Sequence, residues 1–337
     1  MECRPLSYYL EGIKEGNRHV LAKAITLIES SHPEHRDLAR ELVENVLPLS
    51  GRSIRIGITG VPGAGKSTFI ESFGTLLIEQ DRQVAVLAVD PSSKRSGGSI
   101  LADKTRMEKL SVNPGAFIRP SPSGDTLGGV ARKTREIVLV CEAAGFDVIL
   151  VETMGVGQSE ATVAGMVDFF LLLMLTGAGD FLQGMKKGIL ELVDAVAVNK
   201  ADGDNKNAAE ETREELESAL HLLQPVSANW TPPVVTCSAL TSGGLSHIWN
   251  LIQDHHHRLT RSGEFQKNRR EQALRWMWEL IETGLRERFF NHPGLKESIA
   301  AYEARIRKGE IMSTTAAWEL LMMLNSKNSG PEGPALN

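Results

Sequence analysis

The sequence predicts an α/β fold, a mainly parallel sheet flanked by helices, with helical extensions at both chain ends. Three observations predict it. Between residue 54 and about residue 260, short apolar runs alternate with helical stretches, the rhythm of strand-helix-strand units. The glycine-rich stretch GVPGAGKS, residues 60–67, stands between the first of those runs and a helix. Before and after this span, apolar residues recur every three to four positions, the period of a helix.

Residues 1–50 read as a helical extension of two or three helices. Val20, Leu21, Ala24, Ile25 and Ile28 share one helical face, and Leu38, Leu42, Val43 and Val46 share another after the start signal SHPEHRD. Residues 51–261 hold the sheet, with strands expected at IRIGIT, QVAVLAV, AFIR, DVILVE, VDFFLLLML, DAVAVN and PVVTCSA. The fifth run, residues 167–175, is about half the ~20 residues that a membrane-spanning helix needs, so a buried parallel strand is the better reading. Residues 262–325 show no strand pattern and read as a C-terminal helical arm. Leu274, Met277, Trp278, Ile281 and Leu285 fall on one face of its long helix, with shorter helices around 295–308 and 313–325. Trp276, Trp278 and Trp318 either pack these helices onto the sheet domain or build a dimerisation arm. The polar residues 326–337, with their glycines and prolines, are expected to form a disordered tail.

A chain of 337 residues can bury a full core, and 42% hydrophobic with 23% charged residues is ordinary globular composition. The formal net charge of −5 gives no general attraction to nucleic acid or an anionic membrane, so neither is expected as a partner. Cys3, Cys141 and Cys237 form no CxxC pair, and the N-terminus lacks both a signal peptide's apolar core and a transit pattern. Reduced thiols in a cytoplasmic protein are the expectation.

The stretch at residues 60–67 fits G-x-x-x-x-G-K-[ST] and follows a strand and opens a helix, as the mechanism of that motif requires. Gly60, Gly63 and Gly65, with Val61, Pro62 and Ala64 between them, let the backbone wrap an anion. The amides and the helix start at Lys66, Ser67 and Thr68 then face the phosphates. Lys66 is expected to reach the β and γ phosphates and Ser67 to ligate Mg2+.

NKAD, residues 199–202, also follows a strand. The carboxylate of Asp202 can accept from N1–H and the exocyclic amine of guanine, groups adenine does not present there, which points to GTP and GDP. Asn199 is expected to brace the loop and the Lys200 stem to cover the base. In CSAL, the backbone amides of Ser238, Ala239 and Leu240 are candidates for guanine O6.

Three acidic residues complete the expected site. Asp90 ends the second strand, taken to neighbour the phosphate-loop strand, where a carboxylate can hold a metal-bound water. Asp103 either approaches the γ-phosphate water or caps a helix. Glu152 ends the strand DVILVE ahead of Gly155 and Gly157, and its extra methylene suits reach to a magnesium-bound water from a more distant strand. The glycines let that loop reorganise when the γ-phosphate leaves. Gln158 either orients water or is an ordinary surface residue.

Taken together, GVPGAGKST, VLAVDPSSKRSGGSILADKTRM, ETMGVGQSE, GDFLQGMKKGI, VNKADGDN and CSAL resemble the MeaB/ArgK family, over roughly residues 8 to 325. These are the GTPase chaperones of adenosylcobalamin-dependent methylmalonyl-CoA mutase. The resemblance implies a P-loop GTPase fold, a homodimer, and slow GTP hydrolysis stimulated by the mutase, used to gate loading of intact cofactor and removal of damaged cofactor. Lys66, Ser67, Asp90, Asp103 and Glu152 match the family's phosphate and Mg2+ positions, with Lys66, Asp103 and Glu152 as its catalytic set, and Asn199, Lys200 and Asp202 match the guanine positions. The resemblance also implies the branch of P-loop GTPases related to signal-recognition and metal-insertion GTPases, where a glutamate at the strand end, as at Glu152, is expected. Residues 177–188 match a mobile loop in which Lys186 and Lys187 either contact the partner or phosphates or are simply solvated. Met154 and Asp125 depart from the family pattern without removing a group that has a chemical task.

Two other functions compete. A metal-inserting GTPase is suggested by His255, His256 and His257, although adjacent helical positions point about 100° apart and cannot all face one ion. A kinase acting on a transport protein needs a base beside a substrate hydroxyl as well as a γ-phosphate clamp, and nothing in the sequence clearly supplies a dedicated substrate pocket.

Overall fold

The computed structural model describes residues 4–30, 32–89, 107–120, 127–153, 158–177, 188–222, 227–292 and 294–325. Within them, β1 (Ile54–Gly60), β2 (Val84–Val89), β3 (Ala116–Arg119), β4 (Val148–Thr153), β5 (Phe169–Met174), β6 (Ala195–Val198) and β7 (Val234–Thr236) make one sheet. Its order is β3-β2-β4-β1-β5-β6-β7, and every neighbouring pair is parallel. Each strand lies within three residues of its expected position. The helices α4 (Lys66–Glu79), α5 (Glu108–Val112), α6 (Leu127–Ala143), α7 (Gln158–Ala164), α8 (Lys206–His221) and α9 (Leu245–Ser262) flank the sheet.

Strands covered on both faces explain the near-continuous apolar runs. All six residues of β5 are buried. Phe169, Leu171 and Leu173 join one core with Phe69, Phe73 and Trp249. Phe170, Leu172 and Met174 point the other way and join a second core. Gly57 of β1 is small because β5 needs its space: a methyl group there would come within 2.6 Å of the Phe170 ring.

The N-terminal segment forms three helices, α1 (Leu6–Lys14), α2 (Arg18–Glu29) and α3 (Pro33–Val46). Asn17 caps α2 by accepting from the amides of His19 and Val20 at 3.1 and 3.2 Å. Tyr9, Ile13, Leu21, Ile25 and Leu42 are buried in the same core as Val138 and Cys141 of α6. These helices also hold the sheet's edge, with Arg18 Nη1 donating to the Ala116 carbonyl at 2.6 Å and Arg119 paired with Glu29.

At the starts of the strands, Arg269 binds Asp168 through Nε and Nη2 at 2.8 and 2.6 Å and donates to the carbonyls of Gly51 and Ser53. Beside it, Arg55 makes a two-point pair with the buried Glu142, both bonds 2.9 Å.

The chain divides into two compact units, Met1–Arg269 and Arg270–Asn337. The division falls inside α10 (Glu264–Phe290), which follows α9 after Gly263 turns with φ +81°. In the second unit, α11 (Leu295–Arg307) and α12 (Ser313–Asn325) are joined by Tyr302 Oη donating to Glu319 at 2.6 Å. Leu274, Met277, Trp278, Ile281 and Leu285 of α10 and Trp318 of α12 are exposed. Among the described residues, no helix is long and apolar enough to cross a membrane.

Candidate functional site

The site lies at the carboxyl ends of the central strands, where β1 sits between β4 and β5 and the chain changes from building one half of the sheet to the other. Gly60 closes β1 so tightly against β5 that any Cβ would run into the Leu173 carbonyl. Gly63 and Gly65 take φ of +81° and +85°, the left-handed region that glycine enters without cost. The chain can therefore curl tightly from β1 into α4, with the Ala64 amide donating to the Val61 carbonyl at 3.0 Å. Lys66 is half-buried, and its ammonium donates to the carbonyls of Gly60 at 2.8 Å and Val61 at 3.4 Å. Burial lowers its pKa from the ordinary lysine range, while the charges of Glu152 and Glu160 pull the other way.

Glu152 lies beside Lys66 and Ser67. It is the penultimate residue of β4, which ends on Thr153, and Ser67 Oγ donates to its Oε1 at 3.3 Å. The register pairs it with Ile58 of β1 on one side and Ala88 of β2 on the other. This corrects the expected strand order. β4, not β2, neighbours β1, so Glu152 reaches from the adjacent strand and Asp90 follows a strand one place further out. The cause is the excursion through β2 and β3 before the chain returns to insert β4. Beside Glu152, Thr153 donates to Thr59 at 2.8 Å, a buried side-chain bond joining the two strands.

The second half of the site is a ring of bonds around Asn199, which is buried. Its Nδ2 donates to the Ala64 carbonyl at 2.7 Å, and its Oδ1 accepts from the Ala239 amide at 3.0 Å. One side-chain amide thus fastens the phosphate loop to the loop after β7. Lys200 takes φ +63°, unusual for a residue with a side chain and frequent at functional positions. A methyl group on Gly65 would lie 4.0 Å from Lys200 Cε, so the lysine stem runs beside the phosphate loop. Ser238 Oγ donates to the Asp202 carboxylate and fixes its direction.

The expected role of the CSAL amides is narrowed. The Ser238 amide donates to the Gly243 carbonyl at 2.9 Å and the Ala239 amide to Asn199, so both have partners inside the protein, unlike free donors waiting for a base. The exposed Leu240 carries the remaining amide of the three.

Asp90, Asp103, Asp125, Met154, Gly155, Gly157, Lys186 and Lys187 lie outside the described residues, as does the tail 326–337. Gln158 opens α7. The three adjacent histidines do not converge. His255 is buried edge-on to Phe169 and Trp230, at ring separations of 5.1 and 4.9 Å, with Nε2 3.5 Å from Asp194. His256 packs on Phe265 at 4.6 Å, and burial lowers its pKa. Among the described residues, no group of three or more His, Cys, Asp or Glu is placed to hold a metal ion.

Glu160 is a site residue that sequence reasoning does not single out. It is 1% exposed, on α7, with its charge felt by Lys66. A glutamate three residues into a helix reads as an end-capping group, and only the stretch GQSE hints otherwise. Among the described residues, Cys141 and Cys237 are not reactive candidates, since burial raises the pKa of Cys141 and pushes Cys237 up to about 12.

Residues 21–294 match the family described as methylmalonyl Co-A mutase-associated GTPase MeaB. The chain is 48% identical over 297 residues to the GTPase ArgK of Escherichia coli, covering 88% of each chain. It is 45% identical over 327 residues to the mitochondrial methylmalonic aciduria type A homolog of Mus musculus, covering 94% of this chain and 79% of that one. A solved structure described as LAO/AO transport system kinase superposes with a TM-score of 0.79 at 38% identity, over 96% of this chain and 100% of the other.

Proposed function

From the premise that the chain belongs to the MeaB family of GTPases, we propose that it is the GTP-hydrolysing chaperone of an adenosylcobalamin-dependent methylmalonyl-CoA mutase. In this reading it gates cofactor loading and protects or reactivates the mutase. That the chain is a GTPase follows from its family and fold. The partner rests on the family description, and the observation that carries the chemistry is Ser67 bonded to Glu152 beside the phosphate loop, with the charge of Glu152 felt by Lys66.

In the proposed mechanism, water attacks the γ-phosphate in line. Lys66 turns from the carbonyls of Gly60 and Val61 to the β and γ phosphates, where its charge offsets the charge developing on the transferred group. The loop amides hold the phosphates in place. Ser67 and Glu152 present adjacent oxygens of the kind Mg2+ prefers, with Asp90 and Asp103 as further ligands, and the ion would neutralise phosphate charge. Asp202, oriented by Ser238, accepts from the guanine edge, with the Lys200 stem over the base and the Leu240 amide facing O6. The exposed apolar face of α10 supports a homodimer formed through the C-terminal arm.

The deciding experiment measures phosphate release from GTP by the purified protein, with and without the mutase from the same cell, and with ATP as control. Stimulation specific to GTP is the expected result. Slow turnover that no mutase alters would leave the GTPase and remove the partner. A second reading, a transport-protein kinase, is favoured by the 38% identity to the solved LAO/AO transport system kinase. Radiolabel from the γ-phosphate of GTP would then appear on a protein instead of as free phosphate.

A further inference from the structure

We propose that Ser72 is a positioning residue for guanine selectivity, acting by fixing the Ala239 peptide to the phosphate-loop helix. The inference rests on the guanine-site reading above and adds a residue that no nucleotide-binding motif contains.

A hydroxyl inside a helix has a ready partner, the carbonyl four residues back. Thr26, Thr75, Thr134 and Ser218 all use it, at 2.7 to 2.9 Å. Ser72 does not. Its Oγ leaves α4 and donates to the carbonyl of Ala239, 167 positions away, at 2.6 Å. The same Ala239 residue gives its amide to Asn199 Oδ1 at 3.0 Å. Ala239 is therefore held through both its backbone groups, by the NKAD asparagine and by the helix whose first turn faces the phosphates.

These bonds close a ring. Asn199 joins the phosphate loop at Ala64 to Ala239, Ser72 joins Ala239 to α4, and α4 returns to the phosphate loop through Ser67 and Lys66. The groups proposed to read the base flank Ala239. On one side Ser238 orients Asp202 and accepts from the Thr241 amide at 3.1 Å, and on the other Leu240 offers its amide. A shift of this loop by a few tenths of an ångström would misalign both the acceptor and the donor meant for guanine. The phosphate loop is held by bonds that do not involve Ser72, Lys66 to the Gly60 carbonyl and Asn199 to the Ala64 carbonyl.

Nucleotide affinities of Ser72→Ala test this, measured for GTP, GDP and ATP by equilibrium titration. Loss of one net hydrogen bond predicts GTP and GDP binding weakened about fivefold. ATP, which is held by its phosphates alone, should be unchanged, so the GTP-to-ATP preference falls by the same factor. Ser72→Thr and Ser72→Val provide a pair of equal shape differing only in the hydroxyl. The threonine form should keep the preference and the valine form lose it, which tests the proposal even where the alanine form folds poorly. Equal weakening of GTP and ATP, or equal behaviour of the threonine and valine forms, would overturn it. A wild-type protein with no preference for GTP over ATP would instead refute the guanine-site reading beneath it.

Discussion

Ser67 and Glu152 face each other across the phosphate loop, the serine hydroxyl donating to carboxylate oxygen Oε1 at 3.3 Å. One residue stands on the helix after β1 and the other near the end of the strand paired with β1. A group that reaches the Ser67 hydroxyl therefore meets the Glu152 carboxylate as well.

Replacing Glu152 should therefore separate turnover from binding. In Glu152→Gln the side chain keeps its size and loses its charge, and kcat is expected to fall by roughly a hundredfold, typical for loss of one preorganised electrostatic contact. GTP affinity should change far less. Phosphate release set against titration with a fluorescent GTP analogue gives both numbers, and an equal fall in each would refute the assignment.

The lowered pKa of Lys66 has a pH consequence of definite sign. The cause is burial, opposed by Glu152 and Glu160. Phosphate binding needs the protonated amine, so GTP affinity should decline as pH rises through the lowered pKa, earlier than an exposed lysine would dictate. Glu160→Gln removes a charge that raises that pKa and should move the decline to still lower pH. An unshifted affinity profile in this variant would show that Glu160 does not act on Lys66.

Asp202→Asn exchanges an acceptor for a group that also donates. GTP affinity is expected to drop by roughly a hundredfold, about the worth of one hydrogen bond to a charged acceptor, since the asparagine oxygen can still accept the other. Xanthosine triphosphate, which carries a carbonyl where guanine has its amine, should then bind better than GTP. Competition titration with the two nucleotides decides it.

How much of this site the sequence makes legible depends on whether a role is local. The phosphate loop, the NKAD loop and the seven strands are written in contiguous residues, and the alternation of apolar runs is enough to find them. Glu152 is legible as a strand-end acid, but its neighbour is not, because strand order depends on which connection crosses over and not on any short pattern. Ser72 and Glu160 could not be found, since a serine in a helix and a glutamate near a helix start look ordinary until a partner from elsewhere is brought beside them. Leu274 to Leu285 form a plain apolar stripe, and only the folded chain shows that it stays exposed among the described residues.

That stripe predicts assembly. Ile281→Glu, a charge on the exposed face of α10, should convert a dimer to a monomer in sedimentation velocity at micromolar concentration. A wild-type chain that already sediments as a monomer would remove the dimer proposal.

Gly57→Ala tests the close approach of β1 and β5. The added methyl meets Phe170 at 2.6 Å and Val167 at 3.0 Å, both in the core. Overpacking of this kind costs about 1–3 kcal/mol. A thermal melt should show a clear loss of stability, and an unchanged melting temperature would mean that the strands part easily.

The three N-terminal helices share their core with α6, which begins at residue 127. Synthesis delivers them before α6, so Leu21, Ile25 and Leu42 lack the part of their cover that Val138 and Cys141 supply until roughly a hundred further residues, including β1 and β2, have followed. At ~5–20 residues per second these helices stay only partly covered for several seconds or longer, a window in which a protein proposed to serve as a chaperone is itself open to aggregation.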